Sequence, residues 1–219
     1  LVDAMTGEIE SLLTQENAQP LQTVAGVPFY QIRPDVIACA GGVSKVNAAM
    51  ATQLLISLYQ PDLVLNAGVA GCFENMPIGS IVLAEGFLQH DVDTSTLGDR
   101  VGLVSTVNRV QFPTSDLDRA RAAMDRVGVP YRTGWVATGD WFATDTPRAH
   151  WIADTFHPLL CDMEGCADAQ VCLRNNVPFM SIKSVSDCLF EHHDFVFNFP
   201  TAMRDLNRVV MAFVDQLEA

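Results

Sequence analysis

Short apolar runs alternate with helix-period segments from one end of the chain to the other, an order that few architectures accommodate. Val36-Ile37-Ala38-Cys39-Ala40 reads as a buried strand, followed by Gly41-Gly42 and a helix starting near Ser44. Val46, Met50, Leu54 and Leu58 recur every four residues there and draw one apolar face. Pro61-Asp62 breaks that helix, and Leu63-Val64-Leu65 opens the next strand, running into Asn66-Ala67-Gly68-Val69-Ala70-Gly71. Ile81–Ala84 and Phe87-Leu88 are further strand candidates, and 115–127 reads as a charged surface helix with Leu117 and Met124 facing inward. Trp135-Val136-Ala137 forms a strand ending at Thr138-Gly139-Asp140. Leu159-Leu160-Cys161 leads into a helix from about Glu164 to Arg174, and Phe179 to Val185 is another strand. A final helix carries Met203, Leu206, Val210, Phe213 and Leu217 on one face. This order predicts an α/β three-layer sandwich, a central mixed β-sheet flanked by helices. No repeat and no Pro-, Gly- or Ser-rich linker divides the chain, so residues 1–219 are read as a single domain.

Composition removes several function classes. With 49% hydrophobic residues in 219, the chain can bury a sizeable core and is not a disordered segment. No apolar run approaches the roughly 20 residues of a membrane-spanning helix, so no membrane partner is expected. Thirteen basic against 26 acidic residues give a net charge of −13, which repels a phosphate backbone and argues against nucleic acid. Cys39, Cys72, Cys161, Cys166, Cys172 and Cys188 form no C-x-x-C pair and read as buried free thiols, as in the cytoplasm. No signal peptide is visible. The sequence opens at Leu1-Val2 without a methionine, which leaves preceding residues and a cleaved leader open.

In α/β sheets the working residues collect where strands end. Asp187 closes the apolar run from Phe179, with Ser186 beside it to orient the carboxyl. It can cap a turn, or, partly desolvated, donate a proton near neutrality. Glu164 stands at a strand-to-helix junction and Glu8 in a first helical turn. Each can be an ordinary helix-start acid, and that position favours the ionised form of Glu8.

In order along the chain, Ala4-Met5-Thr6-Gly7-Glu8-Ile9, Gly41-Gly42-Val43-Ser44-Lys45-Val46-Asn47-Ala48-Ala49 and Asn66–Gly71 resemble successive motifs of one family. Thr138-Gly139-Asp140-Trp141-Phe142, Asp162-Met163-Glu164-Gly165, and Val177-Pro178-Phe179 through Ser186-Asp187 continue them. The family is the 5′-methylthioadenosine/S-adenosylhomocysteine nucleosidases of the nucleoside phosphorylase superfamily. The resemblance implies a nucleoside phosphorylase-like sandwich, usually a homodimer, that hydrolyses the N-glycosidic bond of adenine thionucleosides without metal or organic cofactor. It assigns Asp187 as the acid that protonates adenine at N7, Glu8 as the group activating water, and Glu164 as the carboxylate on the ribose hydroxyls. Phe142 matches the ring stacked on adenine and the Ala143 backbone the contact to the base edge. Met5, Val43, Met163 and Phe197 match residues around the ribose and 5′ group. Lys183 and Ser186 complete the expected substrate-binding set, with Leu97 as a plug from the partner subunit.

The chemistry makes independent sense of these residue types. Adenine leaves poorly as an anion, so it needs a positioned acid. Positive charge growing on the ribose is stabilised by a carboxylate on its diol. An apolar 5′ substituent prefers Met and Phe side chains.

Three departures stand out. Lys183 occupies a position where relatives carry arginine, Val69 replaces a serine hydroxyl, and the 94–99 stretch offers only Leu97 as an apolar plug. A phosphorylase needs an anion site, and the Asn66–Gly71 loop holds no arginine, so water is preferred to phosphate. A futalosine hydrolase usually carries asparagine where Asp187 stands. A nucleoside-binding module without catalysis is the remaining alternative. Glu191-His192-His193-Asp194 reads as a solvated loop rather than a metal site. His90-Asp91-Val92-Asp93 reads as structural or interfacial, and Trp135, Trp141 and Trp151 as core or interface.

Overall fold

A computed structural model describes residues 1–191 and 195–217, the latter without the side chains of 195–197. In chain order the elements are β1 (Val2–Asp3), α1 (Thr6–Gln15), β2 (Gln19–Val24), β3 (Val27–Arg33), β4 (Val36–Ala40), α2 (Lys45–Tyr59), β5 (Val64–Cys72) and β6 (Ile81–Gln89). β7 (Gln111–Pro113), α3 (Leu117–Val127), β8 (Tyr131–Thr138), α4 (Pro147–Phe156), β9 (Leu160–Asp162), α5 (Gly165–Asn175), β10 (Phe179–Cys188) and α6 (Phe195–Leu217) follow.

The ten strands form one mixed sheet in the order β10-β6-β8-β9-β5-β1-β4-β3-β2, with β7 added to β6. Because β10 also pairs with β5, the first five of these strands close on themselves. One edge of β5 is covered by β10 along its length. The other edge is forked: β1 meets it at Asn66 and β9 only from Gly71 onward. Between those two pairings the backbone of β5 has no strand partner on that side, and its N–H groups must be satisfied by something else.

Helices cover both faces. Ile9 and Leu12 of α1, Ala120, Ala123 and Met124 of α3, and Leu206, Val210 and Phe213 of α6 pack into one core layer. Ala51 and Leu55 of α2 and Cys166, Ala169 and Cys172 of α5 pack into the other. All ten residues of β10 are buried, its serines, Lys183 and Asp187 included, so its polar groups need partners inside the protein.

The expected face of α2 is corrected. Val46 is 74% exposed and Leu58 42%, whereas Ala48, Ala51, Thr52, Leu55 and Ile56 turn inward. A four-residue repeat drifts by roughly 40° per step around a helix of 3.6 residues per turn. Here close packing selects the small residues: a Cβ at Gly41 would sit 2.7 Å from the Ala51 Cβ. The six cysteines are all free and buried. Among the described residues no helix is long and apolar enough to cross a membrane.

Candidate active site

The fork in β5 is where the acids meet. Glu8 lies in the first turn of α1, directly after β1, and is 4% exposed. Its Oε1 accepts the Val69 N–H at 2.9 Å, one of the β5 donors left free by the fork, and its Oε2 accepts the Met5 N–H at 2.8 Å. Glu164 stands at the start of α5, just past β9, with its side chain free of any capping hydrogen bond to that helix. Its Oε1 accepts the Ser44 N–H at 2.9 Å and its Oε2 the Met163 N–H at 3.2 Å. Asp187 sits beyond a bulge in β10, where the register with β5 slips between Val185 and Asp187. The slip re-aims the end of the strand, so that Ser186 and Asp187 both line the cavity, and the Ser186 hydroxyl donates to Asp187 Oδ1 at 2.7 Å.

These groups converge on one cleft with about 660 Å³ of empty space, counting its open mouth. Met5, Val43, Phe142, Ala143 and Met163 line it together with Glu8, Glu164, Ser186 and Asp187. Phe142 and Val43 stand at the mouth, 52% and 43% exposed, and Ala143 is buried.

One expected substrate-binding residue is placed elsewhere. Lys183 does not line the cleft. It is buried beneath, with its Nζ 3.0 Å from Asp162 Oδ2, and serves as counter-charge to the acids around it. Asp162 is fixed in turn by the Thr138 hydroxyl at 2.5 Å and the Gly165 N–H at 3.1 Å. A lysine reaching the ribose would abandon a buried carboxylate, which is costly. Leu97 ends a short 3-10 turn, is 82% exposed and is not among the cleft residues. The side chain of Phe197, like all of 192–194, lies outside the described residues.

The wall also holds residues outside the expected set, Trp141 and Cys161 among them. Trp141 packs against a core cluster, as expected, and also lines the cleft, held by the Arg148 guanidinium 4.7 Å from its ring and by the His90 edge. Its position beside Phe142 in one loop was the available signal. Cys161 also faces the cavity, opposite Gly71 in the β5–β9 pairing. The 90–93 stretch follows the end of β6 at Gln89, and its acids are held structurally: Asp91 bonds Lys45 and Asp93 accepts the Ser95 N–H.

Burial governs the acids' protonation. It pushes Glu8 above the usual glutamate range, against the opposing hydrogen bonds from Met5 and Val69. The expectation that a helix start would favour the ionised form is therefore outweighed by desolvation. Burial, then the nearby Asp162 charge, raises Glu164 to about 7, partly offset by Lys183 and the Ser44 N–H.

The fold and the cleft at the strand ends are those of the phosphorylase superfamily, whose family model matches residues 1–215. A 5′-methylthioadenosine/S-adenosylhomocysteine nucleosidase of Shewanella loihica is 36% identical over 194 residues, covering 85% of this chain and 84% of the relative. The crystal structure of such a nucleosidase from Colwellia psychrerythraea, in complex with adenine, superposes with a TM-score of 0.90 at 30% identity, covering 99% of this chain and 93% of that one. A futalosine hydrolase of Helicobacter pylori shares the fold at TM-score 0.91 and 23% identity, over 98% of this chain and 96% of the other. The chain belongs to the 5′-methylthioadenosine/S-adenosylhomocysteine nucleosidase family.

Proposed function

We propose that this cleft hydrolyses the N-glycosidic bond of 5′-methylthioadenosine and S-adenosylhomocysteine, with Asp187, Glu8 and Glu164 as its catalytic residues. The observation that carries this reading is the convergence of these acids, from segments far apart in sequence, on one cavity. Asp187, oriented by Ser186, gives its proton to adenine N7 as the C1′–N9 bond breaks, and the bonding pair leaves with the base. Glu8 takes a proton from the water whose oxygen bonds C1′. Its burial-raised affinity for protons makes it a stronger base than an exposed glutamate. Glu164 accepts from the ribose hydroxyls, and its charge is better matched to the oxocarbenium-like ribose than to the neutral substrate. Phe142 stacks on the base, the Ala143 backbone meets its edge, and Met5, Val43 and Met163 line the sugar end. None of these steps calls on a metal or organic cofactor.

Val43 and Phe142, exposed apolar side chains of the cleft, and Leu97, an exposed apolar side chain outside it, support a homodimer in which Leu97 of a second copy closes the pocket. Six unpaired thiols support residence in the reducing cytoplasm.

Release of adenine from both nucleosides, followed with and without phosphate, tests the reaction. Phosphate-independent release is expected. Strict dependence on phosphate would reassign the cleft to a phosphorylase, and intact substrate after long incubation would make it a binding module.

A further inference from the structure

The two ends of a nucleoside are met by different parts of the chain. Glu164 follows β9, whereas Asp140, Phe142 and Ala143 lie in the loop that follows β8. What holds these parts in register is the start of α2. Two consecutive N–H groups there are divided between them: Ser44 donates to Glu164 Oε1 at 2.9 Å and Lys45 to Asp140 Oδ1 at 2.8 Å. A third residue closes this bracket. Asp91, just past β6, accepts the Asp140 N–H through Oδ2 at 3.0 Å and the Lys45 ammonium through Oδ1 at 2.6 Å. Lys45, Asp140 and Asp91 thus form a closed ring of hydrogen bonds in which both oxygens of Asp91 are used. The Lys45 ammonium also reaches Gln89 Oε1 at 3.0 Å, and Gln89 donates to Gln170 of α5 at 2.8 Å, anchoring the ring to the helix that Glu164 precedes.

The ring is not a loose surface pair. The side chains of Lys45 and Asp91 are 17% and 18% exposed, so water screens them little. A bidentate, charge-assisted arrangement of this kind fixes geometry as well as adding energy.

We propose that Asp91 is a positioning residue that sets the distance between the ribose carboxylate and the base-contact loop. The inference rests on the reaction assigned above. Its logic is that of a two-point clamp: each half can bind its own fragment alone, but a rigid nucleoside is held correctly only when the spacing is right. Loss of the ring should therefore spare free adenine and penalise the nucleoside.

The test compares wild type, Asp91→Asn and Lys45→Met, the last keeping the N–H to Asp140. The readouts are kcat and KM for methylthioadenosine and calorimetric Kd for adenine. For Asp91→Asn, kcat/KM should fall between about 10- and 100-fold, while adenine affinity stays within about threefold. Lys45→Met should show the same split, and the double variant should lose less than the product of the single losses, because all remove one linkage. Nucleoside turnover within about threefold of wild type would overturn the proposal. So would a parallel loss of adenine affinity, which would mark a collapsed loop. If Asp91→Asn fails to fold, Lys45→Met decides alone. Absence of adenine release by wild type would instead sink the assigned reaction.

Discussion

Gly68 and Glu8 stand so close that a Cβ on the glycine would lie 2.6 Å from Glu8 Oε1. The carboxylate cannot swing away without leaving the Val69 and Met5 N–H groups that hold it. Three residues further along β5, a Cβ at Gly71 would come within 3.0 Å of Asp187 Oδ2. Bare backbone at these two positions is what lets both carboxyl groups close on the same strand.

Gly68→Ala should therefore displace the Glu8 carboxylate rather than break the fold, since the atom it strikes is the end of a side chain. Adenine release is expected to fall about 100-fold or more, with a lowered melting temperature besides, because the glycine's φ of 156° strains an L side chain. Steady-state turnover beside thermal denaturation checks this, and a fully active, well-folded alanine variant would contradict it.

Ser44 carries a different constraint. Its φ of 94° and ψ of 155° lie in a region that L-residues with a side chain avoid, and the side chain makes no capping hydrogen bond. Strain of this kind costs on the order of 1–3 kcal/mol. It persists here because the Ser44 N–H must point at Glu164. Ser44→Gly keeps that N–H and relieves the strain, while loosening the unfolded chain by about 0.5–1 kcal/mol. A net gain of about 1 kcal/mol, or roughly 2–4 °C in melting temperature, is expected with turnover preserved. A lower melting temperature would show that the serine conformation is unstrained.

Much of this site was visible in the sequence because chemistry at strand ends leaves a local trace. Glu8, Glu164 and Asp187 each sit where an apolar run meets a turn, and each reached the cavity. The alternation of strands and helices likewise foretold the layers. What stayed hidden depends on contacts between distant segments. The forked edge of β5 arises only when β1 and β9 are both in place, so the use of the Val69 N–H could not be read from Val69 itself. The charge of Lys183 is claimed by Asp162, a partner that local spacing does not reveal. β2 escaped notice for another reason: at the sheet edge it is almost wholly exposed and shows no alternation. α4 did carry a start signal, Thr146 before Pro147, with the threonine hydroxyl accepting the Ala149 N–H.

The protonation of Glu164 sets the acid side of activity. The reaction needs its ionised form, and burial holds it near 7, with Glu8 also raised. kcat/KM should accordingly decline as pH falls below about 7, approaching tenfold per unit while one group limits. The two acids interact, so the apparent value belongs to the pair. In Glu164→Gln the residual activity should keep only the Glu8 limb. A wild-type profile flat down to pH 5.5, about 1.5 units below that value, would remove Glu164 from the titrating machinery.

Asp168 makes an analogous statement about stability. It is 1% exposed beneath the site, accepting the Thr52 hydroxyl at 2.7 Å and the Asn66 amide at 3.2 Å. Burial raises it to about 7 even though the Thr52 hydrogen bond favours the charged form. The unfolded chain releases this proton near pH 3.9, as free aspartate does. Between about 4 and 7 the folded state thus binds a proton that the unfolded state does not. Stability from this group is present at the acid end of that window and is lost as pH rises through it, by up to about 1.4 kcal/mol per unit. Asp3, Glu8 and Glu164 are raised by burial as well and act in the same direction. In Asp168→Asn the remaining oxygen can accept the Asn66 amide while the new amide group donates to the Thr52 hydroxyl, which turns from donor to acceptor. The variant's distinguishing mark is a shallower pH dependence. Urea unfolding at about pH 5.5 and 7.5 should show the difference between the two conditions shrinking by roughly 1–2 kcal/mol. Equal pH dependence in variant and wild type would mean that Asp168 is ionised in the folded protein throughout this range.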